Sequence, residues 1–300
     1  MSIEAIPFLF IGALNFMVPI LLASVGEIVT EKSGIVNIGL EGILNLSAFT
    51  TAITAFFTDN VGLAILIGTL TGTLIGIIHG IVSTYLRGDQ IVTGIGINMV
   101  SYGIGVLGLI ALWKQHGASP PIPSLPTITI APKYSISPIA ILGIIIAIAI
   151  WYWINKTGNG FRLRACGEDP RSAEAMGIKI FRIRTLATIL GATLAGLGGS
   201  HLVLWIGQFV RGMAAGRGFI ALANVAFSGW NPLVAILGAY IFGFLEVLAS
   251  YLQTVIRGVG AITLTYPIKM LPYIGTLVII SIFRWRAKMP RALGKPYIKE

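Results

Sequence analysis

The sequence predicts an all-α polytopic membrane protein with about nine (eight to ten) transmembrane helices and a short helix in a cytoplasmic loop. Two features of composition and one of pattern predict it. Charged residues make up 11% of the 300-residue chain, against about 25% in soluble domains. Hydrophobic residues reach 55% and the mean hydropathy is +0.88. The 32 charged side chains cannot supply the shell that a water-soluble globule of this size needs. The apolar residues also fall into uncharged runs about as long as a bilayer is thick. Disorder, a coiled coil and a disulfide-stapled secreted domain are excluded together, the last because Cys166 is the only cysteine.

A helix crosses the roughly 30 Å hydrocarbon core in about 20 apolar residues. Residues 6–24, 61–83, 91–113, 134–155 and 185–210 are uncharged runs of that order. Residues 36–57 qualify but carry Glu41, and 262–283 carry Lys269 near their start. Residues 218–256 form a 39-residue run with one charge, Glu246, interrupted by Trp230-Asn231-Pro232. At about 1.5 Å per residue this is roughly 58 Å, close to two core thicknesses, so it folds back at Asn231-Pro232, with a short first member. The leading MSIEAIPFLF has no positive flank and reads as part of the first helix, not as a cleaved signal.

Basic residues orient these crossings. Lys156, Arg162, Arg164, Arg171, Lys179, Arg182 and Arg184 cluster in residues 156–184, and Arg284, Arg286, Lys288, Arg291, Lys295 and Lys299 in the tail 284–300. These are 13 of the 21 basic residues, which assigns both segments to the cytoplasm. Counting back puts the N-terminus and the proline-rich stretch 120–132 outside and Arg87 inside. The net charge of +10 is then a record of topology, and no nucleic-acid partner is expected. Residues 1–300 read as one membrane domain.

Gly68, Gly72, Gly76 and Gly80 recur every fourth residue, which places them on one helix face as a packing seam. Gly103-Ile-Gly105-Val-Leu-Gly108 matches a dinucleotide fingerprint in spelling only, since it lies inside an apolar span with no strand before it. No phosphate-binding loop, H-E-x-x-H or G-x-S-x-G occurs, and His79, His116 and His201 form no ligand-spaced group. No cofactor, no metal and no catalytic residue are expected.

Polar groups in the apolar runs are the candidates for function, because a carboxylate at the bilayer centre costs about 2.5–3.5 kcal/mol even on the lenient scale. Asn37, Glu41 and Asn45 are four apart, which stacks them on one face of the second helix. Either the stripe lines a route for a hydroxyl-rich solute, or Glu41 bonds a neighbouring helix beside Gly34, Gly39 and Gly42. Glu246 stands alone among Leu, Val and Phe, which favours a packing role, and it stays a pathway candidate with Asn98. Asn224, Ser228 and Gln208 are further interior candidates. Arg211 and Arg217, on the predicted outer side, either meet an acidic partner or anchor helix ends.

In the loop, Asp169 is an N-cap, Pro170 fits the first turn and Gly177 is a stop. They define a helix of about two turns over 170–176, with Ala173, Ala175 and Met176 available for packing. So short a helix is marginal alone. It reads as a docking knob for a soluble cytoplasmic partner in preference to a loop lying on headgroups.

Four stretches then resemble the permease subunits of bacterial ATP-binding-cassette (ABC) importers of the simple-sugar, nucleoside and branched-chain amino-acid branch. They are Glu31-Lys-Ser-Gly-Ile-Val-Asn-Ile-Gly-Leu-Glu-Gly42, residues 160–177 running into Thr185 to Gly199 with its Gly191-Ala-Thr-Leu-Ala-Gly-Leu-Gly-Gly199, Gly216-Arg-Gly-Phe-Ile-Ala-Leu-Ala223 through Gly229-Trp-Asn-Pro232 to Glu246, and Leu271-Pro-Tyr-Ile-Gly-Thr276 with Pro290-Arg-Ala-Leu-Gly-Lys-Pro-Tyr297. The Glu-Lys-Ser-Gly start and the Leu-Gly-Lys-Pro-Tyr tail look most like the nucleoside type. The resemblance implies a transport permease of the bacterial cell membrane, not an enzyme. It implies three partners: a cytoplasmic ABC ATPase, a second homologous permease subunit, and an extracytoplasmic substrate-binding protein or lipoprotein that delivers the small-molecule solute. Asp169, Pro170, Ala173 and Gly177 inherit the ATPase-coupling role, and Asn37, Glu41, Asn45, Asn98 and Glu246 are the candidate pathway. Sugar or branched-chain amino-acid import stays open, as does an ion-coupled secondary transporter using Glu41 or Glu246.

Overall fold

The computed structural model describes residues 5–131, 134–255, 267–268, 270–283 and 288–298. Lys269 and residues 256–266 of the last predicted crossings, 284–287 and 299–300 of the tail, and Pro132 lie outside the described residues. The helices are α1 (Ala5–Lys32), α2 (Leu40–Thr58), α3 (Val61–Thr84), α4 (Gln90–Trp113), α5 (Pro138–Lys156), α6 (Gly158–Glu168), α7 (Pro170–Ala175), α8 (Ile180–Ile206), α9 (Arg217–Phe227), α10 (Pro232–Val255) and α11 (Leu271–Phe283). Among the described residues seven helices, α1 to α5, α8 and α10, are long and apolar enough to cross a membrane. The chain is a multi-pass all-α membrane protein, its described strands being one small antiparallel hairpin, β1 (Ile128–Ala131) and β2 (Tyr134–Ile136).

Local chemistry sets most helix starts. Asn60, Asp89 and Ser137 accept backbone N–H bonds at the starts of α3, α4 and α5, relieving orphan donors there. Pro138 takes the first position of α5, so the crossing expected from residue 134 begins four residues later, after β2. The first crossing runs further than expected, to Lys32, because Gly34, at φ +98°, turns the chain only beyond it. That extension buries Glu27 and Glu31, at 0% and 6% exposure.

Helix α8 is the central post, packed most extensively on α3 and α1, with α1 in turn against α10. Glycine permits the approach. A Cβ on Gly72 would lie 2.7 Å from Gly196 Cα, and one on Gly76 2.6 Å from the Ala192 Cβ, while Gly68 faces Thr51 and Ser200. Gly80, one turn on, faces Thr185 at 3.2 Å. Lipid supplies little hydrophobic drive between helices, so backbone contact of this kind holds the bundle. The opposite faces of α3, α4 and α5 expose Leu66, Leu70, Leu74, Met99, Leu107 and Ile145, the apolar exterior that a bilayer solvates.

Candidate solute pathway and coupling surface

Two crossings are broken. Between α1 and α2, residues 35–39 are not helical, and the backbone is met by side chains instead. Gln90 Oε1 accepts from the Val36 N–H at 2.8 Å, Glu27 Oε1 from Asn37 N–H at 2.7 Å, and Asn98 Nδ2 donates to the Ile38 carbonyl at 3.1 Å. His79 Nε2 lies 3.1 Å from the Val36 carbonyl. Irregular backbone inside a membrane requires such partners.

The second break follows α8. Residues 207–216 are irregular, with Gly207, Gly212 and Gly216 at positive φ, and their upper part pairs with the loop after α4 through Ser119 N–H to the Phe209 carbonyl (2.8 Å) and Ile122 N–H to the Gly207 carbonyl (2.9 Å). Helix α9 then runs only 11 residues, about 16 Å or half the hydrocarbon core. Its first residues, Arg217 and Gly218, are buried, Gly218 against the start of α2.

Glu41 joins the two breaks. Its Oε1 accepts from Gly216 N–H at 2.7 Å and its Oε2 from Gly218 N–H at 2.8 Å, so a carboxylate from the first turn of α2 caps α9, where negative charge is favoured. Gly218 packs on the backbone of Leu40 and Glu41, leaving no room for a Cβ. Next to it, Arg217 pairs with Glu246 on α10 and donates from Nη1 to the Met213 and Ala214 carbonyls. Arg217, 8% exposed, is thus an interior ion-pair partner and not an outer-surface anchor, and Glu246 is not alone. Arg211, by contrast, donates from Nε to the Tyr102 hydroxyl at 2.7 Å. Beside the ion pair lies a cavity of about 330 Å³ lined by Arg217, Glu246, Ser250, Gln253, Ile220 and Tyr273, within the range of small-molecule sites.

The expected stripe on one helix face is corrected by the break. Asn37 precedes α2, its Oδ1 accepting from Gly39 N–H at 3.0 Å; the helix begins at Leu40, four residues after the expected start at residue 36. Asn45 donates to the Ser101 carbonyl and hydroxyl, both at 3.3 Å. Asn98 also accepts from Gly42 N–H at 2.7 Å. Asn37 and Asn98 therefore support the break, Asn45 ties α2 to α4, and Glu41 and Glu246 come together around α9. Asn224 donates to Ser24 Oγ (2.9 Å) and the Ala235 carbonyl (3.0 Å), which fixes the turn into α10. Glu31, which enters the sequence reading only as the start of a family-like stretch, accepts from Trp230 Nε1 at 2.5 Å. No group of three or more His, Cys, Asp or Glu side chains arranged for a metal occurs among the described residues.

At the end of the bundle where α6, α7 and residues 288–298 gather, Asp169 closes α6 and caps α7 through Ser172 N–H at 3.1 Å. The Ser172 hydroxyl and then its N–H hold the Asp169 carboxyl below the usual carboxylate range. Gly177, at φ +80°, ends the turn. Ala173 packs beneath, with Cys166, Ile180 and Tyr297, whereas Ala175 is exposed and Met176 is 83% exposed. The Tyr297 hydroxyl bonds Glu174, strapping the tail to α7. Burial pushes the Cys166 thiol up to about 11, which makes it an inert packing residue.

Residues 9–281 match the model of the family described as branched-chain amino acid transport system / permease component. The chain belongs to this family. It is 32% identical to the nucleoside ABC transporter permease protein NupC of Lactococcus lactis, over 95% of both chains. With the guanosine ABC transporter permease protein NupQ of Bacillus subtilis it shares 33% identity over 96% of this chain and 95% of that one. A putative glucose ABC transporter permease of Haloferax volcanii is 30% identical over 76% of this chain and 73% of its own. No solved structure matches the chain at a significant level.

Proposed function

We propose that this chain is the membrane-spanning permease subunit of an ATP-driven importer that takes up nucleosides handed over by a substrate-binding protein. The observation that carries the proposal is similarity along nearly the whole chain to two permeases named for nucleoside and guanosine transport. The likeness to a glucose permease covers about three quarters of the chain and leaves a sugar as the second reading.

In this account the end bearing α6, α7 and the basic tail faces the cytoplasm. ATP is hydrolysed in a separate ABC ATPase, which grips the exposed Ala175–Met176 side of α7, positioned by Asp169, Pro170, Ala173 and Gly177. A second homologous permease completes the pathway. Solute passes by the two broken crossings, where the N-terminus of α9, Glu41 and the Arg217–Glu246 pair supply donors and acceptors at mid-depth. A ribose and a base offer hydroxyls and ring nitrogens for the Glu246, Ser250, Gln253 and Tyr273 wall, and an apolar face for Ile220. The polar lining of the cavity beside the Arg217–Glu246 pair supports solute contact there.

Calorimetry on the partner binding protein tests the substrate class. Guanosine or another nucleoside is expected to bind while pentoses and leucine do not. Binding of glucose or leucine with no heat from nucleosides would transfer the account to the rival substrate.

A further inference from the structure

Arg184 lies near the start of α8 with 2% of its surface exposed. It is the largest side chain buried so completely among the described residues. Its described hydrogen bonds go to backbone carbonyls. Nε donates to Ser33 at 3.0 Å, Nη1 to Lys295 at 3.1 Å and Nη2 to Cys166 at 3.2 Å. These carbonyls belong to three separate segments: the connection from α1 to α2, the C-terminal segment, and the last turn of α6.

Other bonds fasten the same three segments. Ala292 N–H donates to the Gly167 carbonyl at 2.8 Å, and Gly294 N–H to the Gly34 carbonyl at 3.1 Å. A Cβ on Gly34 would come within 2.6 Å of Arg184 Nη2, so that glycine makes way for the guanidinium. Burying a charge with only dipoles for company is costly, and a helix start could be held by an apolar side chain instead. The guanidinium spreads its donors over three separate nitrogens in a rigid plane, whereas an ammonium gathers its donors on one nitrogen and an amide has two on one nitrogen.

The segments joined are the two ends of the mechanism. Cys166 is three residues before Asp169, which is shared by α6 and α7. Ser33 is four residues before Asn37, in the break that leads into Glu41 and the N-terminus of α9. We infer that Arg184 is the positioning residue that carries a displacement of α7 to the broken crossing at residues 35–39, and through Glu41 to the solute pathway. This inference rests on the reading of α7 as the ATPase contact.

The test uses the full transporter, with its ATPase, second permease and binding protein, reconstituted in proteoliposomes. The readout is solute imported per ATP hydrolysed, together with the stimulation of ATPase activity by loaded binding protein. Arg184→Gln is expected to keep the ATPase bound and hydrolysing at its basal rate, while import per ATP falls about tenfold, the equivalent of 1.4 kcal/mol. Arg184→Lys should fall less. Gly34→Ala, which leaves Arg184 in place but crowds its Nη2 and strains the connection at φ +98°, should fall in the same direction. An unchanged import-to-ATP ratio in Arg184→Gln overturns the inference. Where that variant does not assemble, an unchanged ratio in assembled Arg184→Lys and Gly34→Ala overturns it, as does failure of all three to assemble, which leaves Arg184 a purely structural clamp. Failure of the underlying reading would look different, because the wild-type chain itself would then bind no ATPase.

Discussion

Glu41→Gln is expected to reach the membrane at the wild-type level and to import about tenfold more slowly or worse. The carboxylate accepts from both Gly216 and Gly218, whereas the amide offers a single oxygen and turns an NH₂ group toward the other donor. One buried N–H loses its partner, at a cost of about 1–3 kcal/mol. The charge that complements the N-terminal end of α9 is lost as well. The consequence is local: the helix start slackens, and Arg217 shifts against Glu246 at the wall of the cavity. Uptake normalised to membrane-protein level is the measurement. Import at the wild-type rate would remove Glu41 from the pathway, and a variant that fails to accumulate would assign it to helix packing alone.

The second large effect is expected at the other end of the bundle. Asp169→Ala together with Gly177→Ala leaves the membrane core untouched and takes both ends off α7. Loss of the N-cap costs about 1 kcal/mol, and forcing alanine into the left-handed conformation at Gly177 about 1–2 kcal/mol more. A six-residue helix has little to spare, so the folded knob becomes a minor species. Copurification of the ATPase with the double variant should fall about tenfold or more, and uptake with it, at an unchanged membrane level. Each single variant should lose less. Normal copurification with normal uptake would show that the ATPase holds the permease elsewhere.

Most of the bundle was legible in the sequence because crossing a bilayer demands long uncharged runs, and such runs are read without knowing any contact. The cap chemistry of α7 was legible for a related reason: Asp169, Pro170 and Gly177 act on their own neighbours. What failed was long-range. The break at residues 35–39 resembles helix in its spacing, and it stays unwound because Glu27 reaches it from α1 and Gln90 and Asn98 from α4. Glu27 and Glu31 carry no local sign that they lie in the tail of a crossing, which continues to Lys32. Arg217 and Glu246 are 29 residues apart across a turn, and an ion pair formed that way leaves no local signal. Arg184 was counted among the topology-setting basic residues, whereas it is buried; only its three carbonyl partners distinguish it from its exposed neighbours Arg171 and Lys179.

Energy source separates the proposed importer from the ion-coupled alternative most directly. Proteoliposomes carrying this chain with its ATPase, second permease and binding protein should accumulate a radiolabelled nucleoside only with ATP and loaded binding protein present, and should continue when a protonophore dissipates the proton gradient. Accumulation that proceeds without ATP or the ATPase and collapses with the proton gradient would contradict the account.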